Sequence, residues 1–386
     1  MDIPQGYKQT GLGIIPEDWE VKPIGDLGRI VGGGTPSTSI PQYWNGGIAW
    51  YTPAEIGYGK YLNSSLKTIS ELGLHASSAR LLPPGTILLT TRASIGLSAI
   101  LQQAGTTNQG FQSVIVYDSY DNEFVYYLLQ QYIDVMYSLA SGSTFLEISK
   151  KKLALINVAF PVNRIEQRAI AEALSDIDGL IAALDKKIAK KRLIKQGAMS
   201  KLLSLSNRGK KWFNTKLGRV VNIRKGSMLT SEEFIVGNVP VIAGGKTPAG
   251  YHNVANRPEN TITISASGAS AGYVALNNMP IFATDCSTIE PDPSYDIRYI
   301  YHLLVYYQSE IYSLQTGGAQ PHVHPSDLNE MQILYASDIK TQQAIATILS
   351  DIDKEIVDLE AKRDKYRLLK SGMMQKLLTG QIRLKC

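Results

Sequence analysis

The 386-residue chain has only two cysteines, Cys286 and Cys386. Far apart in sequence, they supply neither a disulfide framework nor a CxxC site. A reducing cytoplasm is the simplest compartment for such a chain. No apolar run reaches the length that spans a bilayer, so no membrane partner is expected. The opening MDIPQGYKQTGLG lacks the basic end and apolar core of a secretory signal. Charge of one sign is in small excess: the net +5 permits a polyanionic partner without demanding one. Phenylalanine is sparse at 7 against 21 tyrosines, and a tyrosine-rich helix most simply fills a half-wet core. A GxxxxGK[ST] phosphate loop is absent, as is any carboxylate–lysine nuclease cluster. His322 and His324 in PHVHP have no third ligand near them in sequence, so no metal is expected there.

What the chain does have is a repeat. From Gln167 to Leu203, an offset of 175 matches 21 of 37 residues to Gln342–Leu378. The register extends upstream: SYD at Ser119 recurs at Ser294, FVYYLL at Phe124 meets YIYHLL at Tyr299, and Gly142 meets Gly317. WEVKPIGDLGRIV at Trp19 faintly resembles WFNTKLGRVVNIR at Trp212, at an offset of 193. Each half therefore has a divergent body and a preserved tail, which signals internal duplication.

The preserved tail has helical spacing. Ile170, Leu174, Ile177, Ile181, Leu184 and Ile188 alternate steps of four and three, the seam of a coiled coil. The second copy gives Ile345, Leu349, Ile352, Ile356 and Leu359, then breaks at Arg363. Asn163 with Glu166 forms a capping-box pattern, and Asp338 with Thr341 stands in the matching place. Each helix should run about 35–40 residues, or about 50–60 Å. A narrow seam needs cover, and an internal antiparallel pair is the economical solution. Packing of each helix on its own body, or dimerisation through the helices, is the alternative. Gly197 and Gly372, matched inside the helices, suggest a bend or a close crossing. The basic cluster Lys186–Lys195 reads first as a solvated face.

The bodies mix short strand signals, such as GTILLTT, QSVIVY and NTITISASG, with a tyrosine-rich helix. Their loops are rich in Gly, Ser and Thr with single aromatics, as in VGGGTPSTS, QYWNGGIAWYT, TRASIG, GGKTPAGYHN and SASGASAG. Such loops suit phosphates and base edges, though ordinary turn chemistry explains them equally well. The candidate DNA-binding residues are Thr35, Ser37, Trp44, Trp50, Thr52, Arg92, Ser94 and Ser143 in the first half. In the second half they are Lys225, Lys246, Tyr251, Ser267, Ser270 and His322, with Arg92 and Lys246 as guanine readers. DPSY at Asp292 resembles the DPPY-type motif of DNA amino-methyltransferases. No glycine-rich cofactor loop precedes it, and the other half has YDSY there, so it reads as a turn.

Taken in order, GYKQTGLGIIPEDWEV, GGGTPS, GSTFLEISKKKLALINVAFPVNRIEQRAIAEALSDID and GMMQKLLTGQIRL resemble the specificity subunits of type I restriction–modification systems. The resemblance covers essentially the whole chain. It implies an α+β fold of two globular α/β target recognition domains, mostly antiparallel sheet, separated by two long helices forming an antiparallel coiled coil with a pseudo-twofold duplication. The expected layout is an N-terminal segment at 1–18, target recognition domains at 19–161 and 205–336, and conserved helices at 162–204 and 337–386. The stretch 205–211 is read as the linker. The resemblance further implies a non-catalytic subunit that reads a bipartite, asymmetric site on double-stranded DNA. Its helices would act as a ruler and dock two modification subunits. S-adenosylmethionine, ATP and Mg2+ would sit on the modification and restriction partners, not on this chain. A coiled-coil scaffold with protein-binding heads, or the specificity subunit of a methyltransferase-only system, are the alternatives. The second junction, YASDIKTQQAI, lacks the proline and Glu-Gln pair of FPVNRIEQRAI, so the two docking surfaces need not be equivalent.

Overall fold

The computed structural model describes residues 3–92, 94–142, 146–204 and 212–384. The expected linker at 205–211 lies outside the described residues. The chain forms two compact units, Met1–Ala183 with Arg363–Cys386, and Leu184–Lys362. The division falls within both long helices, Arg164–Leu203 and Ile339–Leu377, whose lengths are 40 and 39 residues.

In the first unit, a five-stranded sheet orders Gly28–Gly32, Gln112–Val116, Ile87–Leu89, Ser98–Leu101 and Tyr61–Leu62. A three-stranded sheet centres on Trp44–Tyr51. The second unit has a four-stranded sheet of Ile223–Lys225, Cys286–Ile289, Thr261–Ser265 and Val274–Asn277, and a three-stranded sheet centred on Val239–Ile242. Pairing is antiparallel except where Tyr61–Leu62, Gly105–Thr107 and Phe282–Ala283 join their sheets. QYWNGGIAWYT is thus a strand with a register shift between Trp44 and Ile48, not a loop. Asn45, at φ 59°, absorbs the irregularity.

The faint match at the front of each half has a structural cause. Strand Trp19–Pro23 pairs with Asn157–Pro161, which leads into the first long helix. Strand Trp212–Lys216 pairs in the same way with Gln332–Ala336 ahead of the second. Each body is zipped shut where its helix departs. A buried glutamine fixes the junction. Gln167 donates to Pro161 O at 2.8 Å and accepts from Asp121 N at 2.9 Å. Gln342 repeats both bonds with Ala336 O and Asp296 N, each at 2.8 Å. Both glutamines are fully buried, so losing either would strand polar groups away from water. Asp121 and Asp296 cap the tyrosine-rich helices Asn122–Gln131 and Ile297–Tyr306. As expected, their tyrosines are core. Tyr132 and Tyr307 hydroxyls accept from Ala159 N and Leu334 N, positions again 175 apart.

Each core takes pieces of both long helices. Ile170, Ala171 and Leu174 from the start of the first, and Leu377 and Leu378 from the end of the second, join Trp19, Phe124, Tyr127 and Phe160. In the other unit, Ile345, Ala346 and Leu349 join Met199 and Leu203 around Tyr299, Leu303 and Leu304. The early seam positions therefore serve the core of the body as well as a helix partner. The remaining seam residues, Ile177, Ile181, Leu184, Ile188, Ile352, Ile356 and Leu359, are buried or half-buried.

Ion pairs between the helices set the antiparallel sense. In the second unit Lys195 bonds Asp353 at 2.6 Å, Arg192 bonds Glu360 at 2.5 Å, and Lys191 pairs with Glu355. In the first unit Lys370 bonds Asp178 at 2.7 Å. Lys195 and Lys370 are repeat equivalents, and so are Asp353 and Asp178. Each lysine thus holds the aspartate of the other copy.

Two expectations at the helix ends fail. Asn163 accepts from Ile165 N at 2.9 Å, but Glu166 does not reach back to complete a capping box. It is buried and held by Arg383, which also forks onto Asp18. A buried carboxylate needs a dedicated cation more than the helix needs a second cap bond. Gly197 and Gly372 do not serve a close crossing either, because a Cβ at either would meet nothing within 4 Å. Gly197→Ala and Gly372→Ala should each stabilise the isolated chain, by about 1 kcal/mol where the site is an ordinary helix interior. Chemical denaturation of the free chain checks this.

His302 stands where the first unit has Tyr127. Tyr127 donates to Asp178 at 2.7 Å, whereas His302 Nε2 lies 3.1 Å from Ser350 Oγ, with its Nδ1 left unpartnered. Burial, and then the nearby Lys195 and Arg298, push its pKa down to about 3. The imidazole is therefore neutral, and its 3.9 Å approach to Asp353 is not an ion pair. A folded-state value below the unfolded one means that the unfolded chain binds the extra proton first. The stability lost by keeping this imidazole neutral is absent above about pH 6.5 and grows as pH falls from there toward 3, by at most about 1.4 kcal/mol per pH unit. His302→Tyr should flatten that loss between pH 6.5 and 4.5, as read from denaturation midpoints.

Candidate nucleic-acid interface

The polar loops of each unit gather at the strand ends, where short backbone links fix them. In the first unit Arg92 donates through Nε at 2.9 Å and Nη2 at 2.6 Å to one oxygen of Glu147. Both side chains remain partly exposed, at 42% and 32%. Ser94 N donates to Arg92 O at 2.8 Å, and Thr90 Oγ1 donates to Ser94 O, which closes the tight TRASIG turn. Ser143 lies outside the described residues.

The glycine loop holds Thr35 and Ser37 on its exposed side. Thr35 Oγ1 donates to Gln109 Oε1 at 2.6 Å, and Ser37 Oγ lies 2.8 Å from Ser39 Oγ. Gly33 and Gly34 have packing reasons of their own. A Cβ on Gly33 would lie 2.0 Å from Asn108 O, and one on Gly34 would lie 2.2 Å from Ser78 Oγ. Trp44 is half-buried, donates to Ser37 O at 3.1 Å and stacks edge-on against Trp50 with centroids 5.0 Å apart. Trp50 is corrected to a core residue: it is buried and its indole N–H is spent on Gly34 O at 2.9 Å. Thr52 is a cap, its hydroxyl and backbone N–H both bonded to Glu55 at 2.9 and 2.8 Å.

In the second unit Ser267 Oγ donates to Asp285, and Ser270 O accepts from Tyr273 N at 2.9 Å. His322 bridges back to Ser267 and stacks on His324, with centroids 6.3 Å apart. Lys246 is exposed and lies 5.3 Å over the Tyr273 ring. Tyr251 is 57% exposed on its strand. Lys225 is exposed and its carbonyl anchors Arg257 Nη2 at 2.9 Å.

Sequence reasoning missed one feature of the first unit. A cleft of about 540 Å³ is lined by Arg29, Gly32, Gly33, Ser78, Arg80 and Lys150. Its three cations are exposed and make no ion pair among the described residues. They are spread across 29, 80 and 150, so no local motif announces them. Three such cations around one cleft make an electropositive surface of the kind that backbone phosphates occupy.

Among the described residues, no group of three or more His, Cys, Asp or Glu could hold a metal ion. No described helix is long and apolar enough to cross a membrane.

Comparison with known proteins gives one answer. Residues 16–191 and 209–366 match the type I restriction modification DNA specificity domain. The chain is 28% identical to the type I restriction enzyme MjaIX specificity subunit of Methanocaldococcus jannaschii, over 98% of this chain and 96% of that one. It is 30% identical to the EcoR124I/EcoR124II specificity subunit of Escherichia coli, over 45% of this chain and 44% of the relative. The fold is that of the type I S subunit crystal structure from M. genitalium, with a TM-score of 0.69, 19% identity and 98% of both chains covered. A chain from a study of complex assembly in the type I R-M system aligns at a TM-score of 0.59 and 15% identity, over 95% of this chain and 99% of that one. With two copies of the matching domain covering most of its length, the chain belongs to the type I restriction–modification DNA specificity family.

Proposed function

We propose that the chain is the DNA sequence-recognition subunit of a type I restriction–modification complex. Two copies of the specificity domain, with equivalent frames and unlike loops, carry the reading. Unlike loops on like frames suit a non-palindromic, two-part site, because each body then reads its own half. Thr35, Ser37, Trp44, Arg92 and Ser94 face one half of the site. Lys225, Lys246, Tyr251, Ser267, Ser270 and His322 face the other. Arg29, Arg80 and Lys150 hold backbone phosphates, a role that positions without reading.

The long helices set the unread spacer and dock two modification subunits. Leu193 and Ile194 are 69% and 45% exposed, and their repeat equivalents Leu368 and Leu369 are 76% and 48% exposed. A solvent-facing apolar pair repeated at the same helix position suits two copies of one partner. The chain has no chemistry of its own in this reading. Modification subunits carry S-adenosylmethionine and flip the target adenine, while restriction subunits carry ATP and Mg2+.

Exchanging residues 20–160 for those of a relative should change one half of the methylated motif and leave the other unchanged. Methylome sequencing of a host expressing the chain with its modification partner reads this directly, and alteration of both halves would refute it. Inserting four residues, about one helical turn, into either long helix should lengthen the spacer. The same sequencing would show an unchanged spacer if the helices were not the ruler.

A further inference from the structure

Around the loop pair of each unit, the backbone is copied and the side chains are exchanged. Thr91 N donates to Gly110 O at 2.8 Å, and its equivalent Ala266 N donates to Asp285 O at 3.2 Å. Ile148 N bonds Thr91 O at 3.0 Å, as Val323 N bonds Ala266 O at 2.9 Å. Ser141 and Glu147 exchange bonds of 3.0 and 3.1 Å, and Thr316 and His322 exchange bonds of 2.9 and 2.8 Å. Arg92 bridges Glu147, and Ser267 bridges His322. Every one of these equivalences holds at the offset of 175. Yet the three positions carry Arg92, Gly110 and Glu147 in one unit and Ser267, Asp285 and His322 in the other. A framework that survives such exchange does not depend on those side chains.

We propose that these three positions form a base-reading platform in each unit, and that Glu147 and Asp285 are specificity residues alongside Arg92, Ser267 and His322. This rests on the DNA-recognition reading above and deepens it.

The chemistry differs in a readable way. A guanidinium has five N–H donors, and Glu147 takes two of Arg92's. The donors left over suit guanine O6 and N7, and Glu147 Oε1 is an acceptor of the kind the N4 amino group of the paired cytosine needs. The first platform therefore fits a G·C pair. In the second, Ser267 donates to one oxygen of Asp285, which leaves the other to accept. With no arginine or lysine on the platform and a carboxylate oxygen left to accept, it suits a base edge that offers an amino donor, adenine N6 or cytosine N4.

The test uses the full chain coexpressed with its modification partner, with methylome sequencing as the readout. Arg92→Ser combined with Glu147→His should relax one G·C position of one half-site, with discrimination there falling about tenfold or more. The remaining letters and the other half-site should stand. Arg92→Lys keeps the charge and loses the fork, so it should relax the same position. If the double variant does not assemble, Arg92→Lys decides alone. The inference is overturned if the assembled variants keep the wild-type motif with unchanged strictness. It is equally overturned if an assembled, stable complex loses every letter of the half-site together, since the pair would then be structural. A wild-type complex that methylates no bipartite motif instead sinks the functional reading itself.

Discussion

A helix of 40 residues with one narrow apolar seam is unstable until that seam is covered, and this requirement organises the molecule. Cover comes from two sources. The first turns of each long helix are drawn into the core of the body that precedes them, with Ile170 and Leu174 in one unit and Ile345 and Leu349 in the other. Those same cores take the end of the opposite helix, through Leu377 and Leu378 in the first unit and through Met199 and Leu203 in the second. Hydrophobic burial makes the contact, and the lysine–aspartate pairs choose its direction. Lys195 is 17% exposed and Lys370 is 20% exposed, so these pairs are screened less than an ordinary surface ion pair.

The junction between body and helix is held by a fully buried polar network in each unit. Gln167 and Gln342 each join a strand end, a helix cap and a long helix through these two bonds in a fully buried site. In the first unit Lys60 adds bonds to Glu123 at 2.7 Å and Ser175 at 2.5 Å, tying the body to the side of its helix. The second unit puts the neutral His302 against Ser350 instead. Both arrangements tie a body to the side of its helix, one by charge and the other by a neutral hydrogen bond.

The repeat and the two helices were legible because each is written in spacing, a constant offset of 175 and an apolar step of four and three, and the antiparallel pairing followed from the need to cover two such seams in one chain. The tyrosine-rich helices read correctly for the same reason. What escaped was decided by tertiary contact. Trp44–Tyr51 pairs as a strand despite its Asn-Gly-Gly, because Ile69 and Gly105–Thr107 flank it and a bulge absorbs the mismatch. Trp50 reads as an exposed loop aromatic until that strand turns it inward. Glu166 reads as a cap until Arg383, 217 residues later, claims it. The cations Arg29, Arg80 and Lys150, on a strand, a loop and a short helix, meet around one cleft only in the folded unit. Long-range pairing leaves no trace in a local window.

The makeup of the cores also has a bearing on synthesis. Leu184–Lys362 is a continuous stretch that holds everything its unit needs. The other unit draws on Leu377, Leu378 and Arg383, and these are made after the whole of Leu184–Lys362. While translation proceeds, the earlier-made body must wait with Ile170, Leu174 and Glu166 only partly covered. The later-made body can therefore complete its core before the earlier-made one can, a reversal of the usual N-terminal-first order.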